Sequence, residues 1–366
     1  MTDVNRNTDI RYVFVHGLSG WGSYDRRYRF FPYWGMRDGD LIGYLRERGY
    51  PSYAASVDPV GSAWDRACEL YAQLFGKVTD YGAEHSARAG HGRFGRDFTS
   101  EPLIPDIGRN TKLVLLGHSF GGVTVRLFAE LMANGSDRER SLGGGNGISD
   151  LFAGGRADMV HSVVTLAAPT NGTTAYDLFL DPGFDTGSVK IPVSDRLAAR
   201  VFRSGRKTPS DARAAWDSAA HDMHIDRALE LNRSINTLPG TYYFAVPCSA
   251  SERNDDGTYS PVRSDMVSLY RRTSALMGAY SGSTAGGFRI GEEWRENDGL
   301  VNTVSAREPI GAPVSPESEK GPEKGTWTVL PVQRGDHMSL QGGLGKRRNI
   351  RPFYTELLDM ISSLEN

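Results

Sequence analysis

Apolar residues along this chain fall into short dense runs separated by longer stretches of mixed polarity. Residues 11–15, Arg11-Tyr12-Val13-Phe14-Val15, predict a strand that ends in His16-Gly17-Leu18, and residues 50–57 predict a second. Further strands are expected at 111–116, at 163–169 after a glycine-rich connector at 143–147, at 241–246 and at 327–332. Between them the apolar spacing turns helical: Val125, Phe128, Leu131 and Met132 mark one helix that Asn134-Gly135 should stop. A closing amphipathic helix is expected over 353–364. Strands alternating with helices predict an α/β fold, a mostly parallel central sheet covered by helices on both faces. Two stretches interrupt the alternation, at about 61–105 and about 177–217, and read as insertions into one domain spanning 1–366. Residues 313–325, rich in Pro, Glu and Lys, read as a solvated loop, and no internal repeat is visible.

Composition narrows the classes of function. The net charge is −2 with both signs interspersed, so no basic field points to nucleic acid and no polybasic run to anionic membrane. No apolar run approaches the roughly 20 residues of a membrane-spanning helix. The first nine residues are polar and lack the apolar segment of a secretory signal, so the chain reads as cytoplasmic on its face, or as secreted with its leader removed. Cys68 and Cys248 are too few for a disulfide framework, and their apolar settings suit buried free thiols.

The informative motif is Gly117-His118-Ser119-Phe120-Gly121. In a chain with 43 glycines a G-x-S-x-G string can arise by chance or belong to another glycine-rich strand-to-helix loop. Here the apolar run 112–116 leads into it and a helical pattern leaves it, which is the context of a nucleophile elbow in an α/β-hydrolase fold. A serine hydroxyl needs a histidine base and an acid that orients that base. In this fold the order along the chain is nucleophile, acid, histidine, which nominates Asp298 in Asn297-Asp298-Gly299 and His337 in Asp336-His337-Met338. Asn297-Asp298-Gly299 standing alone would read as an Asx turn. Acyl transfer also needs N–H donors for the oxyanion; Phe120, after the nucleophile, and Leu18, in the loop after the first strand, are the candidates. His16 ends a strand and is expected to be structural.

With these motifs placed, the chain resembles the secreted triacylglycerol lipases of thermophilic bacilli and staphylococci. The likeness runs through Trp64-Asp65-Arg66-Ala67-Cys68-Glu69, Asp80-Tyr81-Gly82-Ala83-Glu84-His85, Gly90-His91-Gly92-Arg93-Phe94-Gly95-Arg96, Ala168-Pro169-Thr170-Asn171-Gly172-Thr173-Thr174 and Glu296-Asn297-Asp298-Gly299-Leu300-Val301-Asn302. The resemblance implies a zinc site in the first insertion, with ligand positions on Asp65, His85, His91 and Asp217. Two imidazoles and two carboxylates make a closed tetrahedral set, which is structural rather than catalytic. For His85 and His91 to converge, the helix between them must break at Gly90. His221 and His224 are close enough in sequence to Asp217 to be alternative ligands, and without the resemblance the two histidines would pass for surface residues. The lipases carry acidic calcium ligands after the histidine, where this chain has Ser339 and Leu344, so calcium binding is not expected. The second insertion would be a lid shorter than theirs, broken by Pro182, Pro192 and Pro209, with weak interfacial activation.

The function implied is lipase-type hydrolysis of carboxylic esters of acylglycerols through an acyl-enzyme, with transient contact to a lipid interface and no nucleic-acid partner. A short-chain carboxylesterase or phospholipase A1 would share these residues, and a non-catalytic binding protein is the competing class.

Overall fold

The computed structural model describes residues 9–142, 147–180, 215–315, 321–344 and 348–365. Its centre is a six-stranded sheet of β1 (Ile10–Val15), β2 (Ser52–Ala55), β3 (Lys112–His118), β4 (Val160–Leu166), β5 (Tyr242–Val246) and β6 (Trp327–Val329). In space the order is β6-β5-β4-β3-β1-β2, and every pairing is parallel. Period-two alternation assigns each strand residue to a face. Val13, Val15, Leu113, Leu115 and Val163 face one apolar layer; Tyr12, Phe14, Val114, Leu116 and Val164 face the other.

Helix α1 (Leu41–Glu47) belongs to the second layer, and α2 (Ala63–Phe75) and α4 (Phe120–Asn134) to the first. Between α2 and α4 lie the short α3 (Ala83–Ala89) and an antiparallel pair, Val78–Asp80 with Phe94–Asp97. After α4 come α5 (Asp137–Leu142), α6 (Ile225–Ser234), α7 (Ser268–Ala279) and α8 (Arg351–Ser362), the last closing the second layer with Tyr354, Leu357, Leu358 and Ile361. Cys68 and Cys248 are buried free thiols, whose pKa burial pushes up.

The strand expected over 327–332 stops at Val329. Pro331 has no N–H to give a neighbour, and the chain resumes pairing only at Gln333–Arg334, against Cys248–Ser249. Most of the expected lid, 181–214, lies outside the described residues. No helix among the described residues is long and apolar enough to cross a membrane.

Candidate active site and metal centre

Strand β3 delivers Ser119 to the C-terminal edge of the sheet, and α4 starts at the next residue. Ser119 has φ 54° and ψ −130°, a conformation an L-residue holds only under constraint. The constraint is visible: the Ser119 N–H donates to the Leu166 carbonyl (2.9 Å), and Gly122 N–H donates back to the Ser119 carbonyl (2.9 Å). A Cβ on Gly121 would collide with the Val15 carbonyl, and one on Gly117 with the Gly121 carbonyl, so only glycines let strand and helix pass this closely.

Three side chains expected from sequence converge here. Ser119 Oγ lies 2.8 Å from His337 Nε2, and His337 Nδ1 lies 2.8 Å from Asp298 Oδ2. The other oxygen of Asp298 accepts the N–H groups of Leu300 (3.0 Å) and Val301 (2.8 Å), while the Asp298 carbonyl accepts His337 N–H (2.9 Å). All three residues are buried, and Asp298 is fully enclosed. A carboxylate with one oxygen occupied by backbone donors has only its second to offer, which fixes the imidazole edge that faces it.

The loop after β1 supplies the facing wall. Gly20 N–H donates to Gly17 (3.1 Å) and Ser19 N–H to Pro59 (2.7 Å), closing a turn. Among the described residues neither the Leu18 N–H nor the Phe120 N–H has a hydrogen-bond partner. Gly17 packs against Ser119, where a Cβ would overlap the serine Cβ, so Leu18 follows directly on a residue in contact with Ser119.

Three residues of this site escaped the sequence reading. Gly17 N–H donates to Tyr33 Oη (3.1 Å), Tyr33 Oη lies 2.6 Å from His118 Nδ1, and His118 Nε2 lies 2.9 Å from the His337 carbonyl. Burial, reinforced by the neighbouring His337, pushes the His118 pKa well below the imidazole range. A neutral His118 accepts from Tyr33 and donates to His337, so one relay joins the Leu18 loop to the histidine loop. Arg66, fully buried on α2, donates to the carbonyls of His16 and Asp58 and lies 5.1 Å from the Phe120 ring centre. His118 occupies the variable position of the G-x-S-x-G string, where no pattern marks it; Tyr33 and Arg66 carry no local signal. His16 locks its own strand end: Nδ1–H donates to the Gly17 carbonyl (2.8 Å) and Nε2 accepts Val57 N–H (3.3 Å). Burial and Arg66 lower its pKa to about 3, so it stays neutral.

Asp65, His85, His91 and Asp217 form a second cluster, each with one ligand atom within 4.8 Å of the others. Ser62 caps α2 and places Asp65 in its first turn. Glu139 of α5 caps α3 by accepting the N–H groups of Glu84 (3.1 Å) and His85 (2.8 Å). Helix α3 ends at Ala89; Gly90 at φ 77° turns the chain back so that His91 faces His85. Asp217 is held alongside because Ala219 N–H donates to Val60 (3.0 Å) and Ala63 N–H to Asp222 (2.8 Å). His85 Nε2 is 3.1 Å from Asp65 and 3.4 Å from Asp217; His91 Nε2 is 3.6 Å and 3.3 Å from the same two carboxylates. His91 Nδ1–H donates to the Gly92 carbonyl (2.8 Å), which leaves Nε2 with its lone pair toward the cluster. His91 Nε2 and both Asp217 oxygens are buried without a hydrogen bond, so the group could hold a metal ion. With no ion, burial depresses the basicity of His85, but Asp217 and Asp65 outweigh it and its pKa rises to about 9. His221 and His224 point elsewhere: His224 Nδ1 lies 2.7 Å from Asp177, and His221 lies beside Asp222.

The model of the family described as lipase-like, C-terminal domain, matches residues 7–184 and 204–366. The chain belongs to this family. It is 31% identical to Lipase 2 of Staphylococcus aureus over 96% of its own length and 54% of that protein, and 32% identical to a lipase of Staphylococcus epidermidis over 90% and 49%. The chain thus spans about half the length of the curated relatives it matches. Among solved structures, EstA of Clostridium botulinum superposes with a TM-score of 0.83 at 29% identity, covering 100% of this chain and 89% of that one. The lipase of Staphylococcus hyicus gives 0.79 at 27%, covering 99% and 97%, and lipase 1 of Pelosinus fermentans 0.77 at 30%, covering 98% and 100%. These likenesses and the parallel sheet establish the α/β-hydrolase fold expected from sequence.

Proposed function

We propose that this member of the family hydrolyses carboxylic esters of lipids, with acylglycerols as the substrate class, through an acyl-enzyme on Ser119. The observation that carries the reading is the continuous Ser119–His337–Asp298 hydrogen-bonded line, at 2.8 Å and 2.8 Å, set on a strained elbow. His337 Nε2 takes the hydroxyl proton as Oγ attacks the ester carbonyl, and later gives it to the leaving alcohol. Asp298 holds Nδ1–H and stabilises the imidazolium that develops. The N–H groups of Leu18 and Phe120 receive the oxyanion, a role for which their lack of other partners leaves them free. Water then repeats the sequence on the acyl-enzyme and releases the carboxylic acid.

The reading extends to a structural zinc ion on Asp65, His85, His91 and Asp217. Bonds of about 2.1 Å in a tetrahedron require ligand atoms about 3.4 Å apart; the measured histidine–carboxylate separations run from 3.1 to 3.6 Å. Bound there, the ion would tie residues 61–105, the metal-bearing insertion, to the end of the 177–217 lid.

A fluorophosphonate probe tests the mechanism directly. It should label wild type at one site and leave Ser119→Ala unlabelled and folded, with kcat lowered on the order of 10⁴ to 10⁶-fold. Wild-type turnover in that variant removes Ser119 from the mechanism, and a rate series over acyl length places the substrate between short-chain esters and acylglycerols.

A further inference from the structure

Away from the triad, the first helical layer contains a buried guanidinium with one nitrogen left without a hydrogen bond. Arg126 lies seven residues after Ser119 on α4, about 10 Å farther along the helix axis and toward the N-terminal ends of the strands. It is 2% exposed, its Nη1 is sealed from solvent without a hydrogen bond, and it makes no ion pair among the described residues. Its neighbour is the face of Trp327, with the guanidinium carbon 5.8 Å from the ring centre. Glu130, one turn on, does not compensate it: its oxygens accept from Asn134 Nδ2 (2.8 Å) and the Asn236 N–H (3.1 Å). Burial lowers the Arg126 pKa only to about 10, so the charge persists at neutral pH.

Arg126 lines a cleft of about 510 Å³ between α4, α6 and the loop around residue 310, a size typical of small-molecule sites (about 300–1,000 Å³). Leu229, Ile235, Phe288 and Ile310 give it apolar walls, with Ile310 at the rim 53% exposed. Arg233, exposed on α6, adds a second positive charge to the lining. On the inner wall Trp327 Nε1 is a second buried donor without a partner. Two unpaired donors, one of them charged, inside apolar walls are complementary to an anionic head on an apolar chain.

We propose that this cleft is a binding site for an aliphatic monocarboxylate, separate from the triad. The head sits against Arg126 and the Trp327 N–H, and the chain lies along Leu229, Phe288 and Ile310. A monocarboxylate is favoured over a doubly charged phosphate because one buried guanidinium compensates one charge. Asn232 Oδ1, an unpaired acceptor on the same wall, would suit an alcohol instead, which the experiment separates. The site does not depend on the hydrolytic reading, although that reaction releases the same class of molecule.

The test is calorimetric titration of the whole protein, pretreated with the phosphonate probe, with dodecanoate below its micellar concentration and in parallel with dodecanol. Dodecanoate should bind at one site, and dodecanol at least about ten-fold more weakly, as expected for loss of one charged hydrogen bond. Arg126→Met should lose dodecanoate binding by a similar about ten-fold or more while keeping wild-type turnover of a short ester. It should also be no less stable than wild type without ligand, because an uncompensated buried charge is removed. If Arg126→Met does not fold, Ile310→Asp at the exposed rim replaces it, and its new negative charge should weaken dodecanoate and spare dodecanol. The proposal is overturned if dodecanoate does not bind, if dodecanol binds as tightly, or if the folded variants bind dodecanoate like wild type. Failure of Ser119 to label, with Arg126-dependent binding intact, would count against the hydrolytic reading alone.

Discussion

Removing the metal offers the most quantitative test of the second cluster. If zinc is held at a free concentration about a thousand-fold above its Kd, linkage contributes about 4 kcal/mol to the folded state. Unfolding entropy of about 2.1 cal/mol/K per residue, over 366 residues, gives about 0.8 kcal/mol/K, so stripping the ion should lower Tm by about 5 °C. The protein should survive the loss. At neutral pH the released His85, whose pKa rises to about 9, is protonated and lies between Asp65 and Asp217, so it replaces part of the ion's charge. Differential scanning calorimetry before and after chelation, with elemental analysis of the same samples, reads the effect. Turnover at moderate temperature should be nearly unchanged, since the cluster and the triad share no residue. The double variant His85→Ala and His91→Ala should show the lowered Tm and no further response to chelator. The reasoning fails if purified protein contains no zinc, or if chelation stops turnover at once in protein that remains folded.

Asp298→Asn should keep the Leu300 and Val301 hydrogen bonds but turn an N–H₂ toward His337 Nδ1, forcing the wrong tautomer; kcat should fall about 10⁴-fold with little change in Tm, and a loss below ten-fold contradicts the assigned role. In chelated protein, stability should fall as pH drops from 6 to 5. His16 (about 3), His161 (about 4) and His118 (well below 6.5) have depressed folded pKa values, so the unfolded chain takes up their protons first. Glu69, raised to about 8, takes its proton first in the folded chain and offsets one of the three. The net two protons correspond to about 2.7 kcal/mol per pH unit, and urea midpoints that do not move across this interval refute the balance. Calcium should leave Tm unchanged because Ser339 and Leu344 offer no carboxylate; a large rise on adding calcium would show a site elsewhere.

The parts of the fold that could be read from sequence are those where one physical signal dominates. Residues 113–116 and 242–246 are buried on both faces, so their apolar runs announce strands directly. That Ser119, Asp298 and His337 would converge was legible because an elbow needs glycines at fixed offsets and because an α/β-hydrolase fold orders such a set along the chain. The grouping of Asp65, His85, His91 and Asp217 was legible only through resemblance, since Asp65 and Asp217 are brought together by hydrogen bonds between residues 60–63 and 219–222 that leave no periodic trace. Tyr33, His118 and Arg66 work through hydrogen bonds to carbonyls or to one another, and a carbonyl acceptor imposes no residue type on its owner. The cleft around Arg126 was invisible too, as its walls come from six separate stretches of chain.

The stretch expected to act as a lid is flanked in the sequence by two anchored residues, Asp177 and Asp217. At one, Asp177 accepts from the Ile225 N–H (3.3 Å) and pairs with His224 (2.7 Å); at the other, Asp217 belongs to the cluster with Asp65, His85 and His91, and its neighbours are stitched to residues 60–63. The partners named here all lie outside the stretch between them. Each doubling of a loop's length costs only about 0.6 kcal/mol in closure entropy, so the length of the chain between these anchors can change at small cost to the base that holds them. Residues 181–214 are therefore the stretch to exchange between relatives in asking what sets substrate range, with both junctions left untouched.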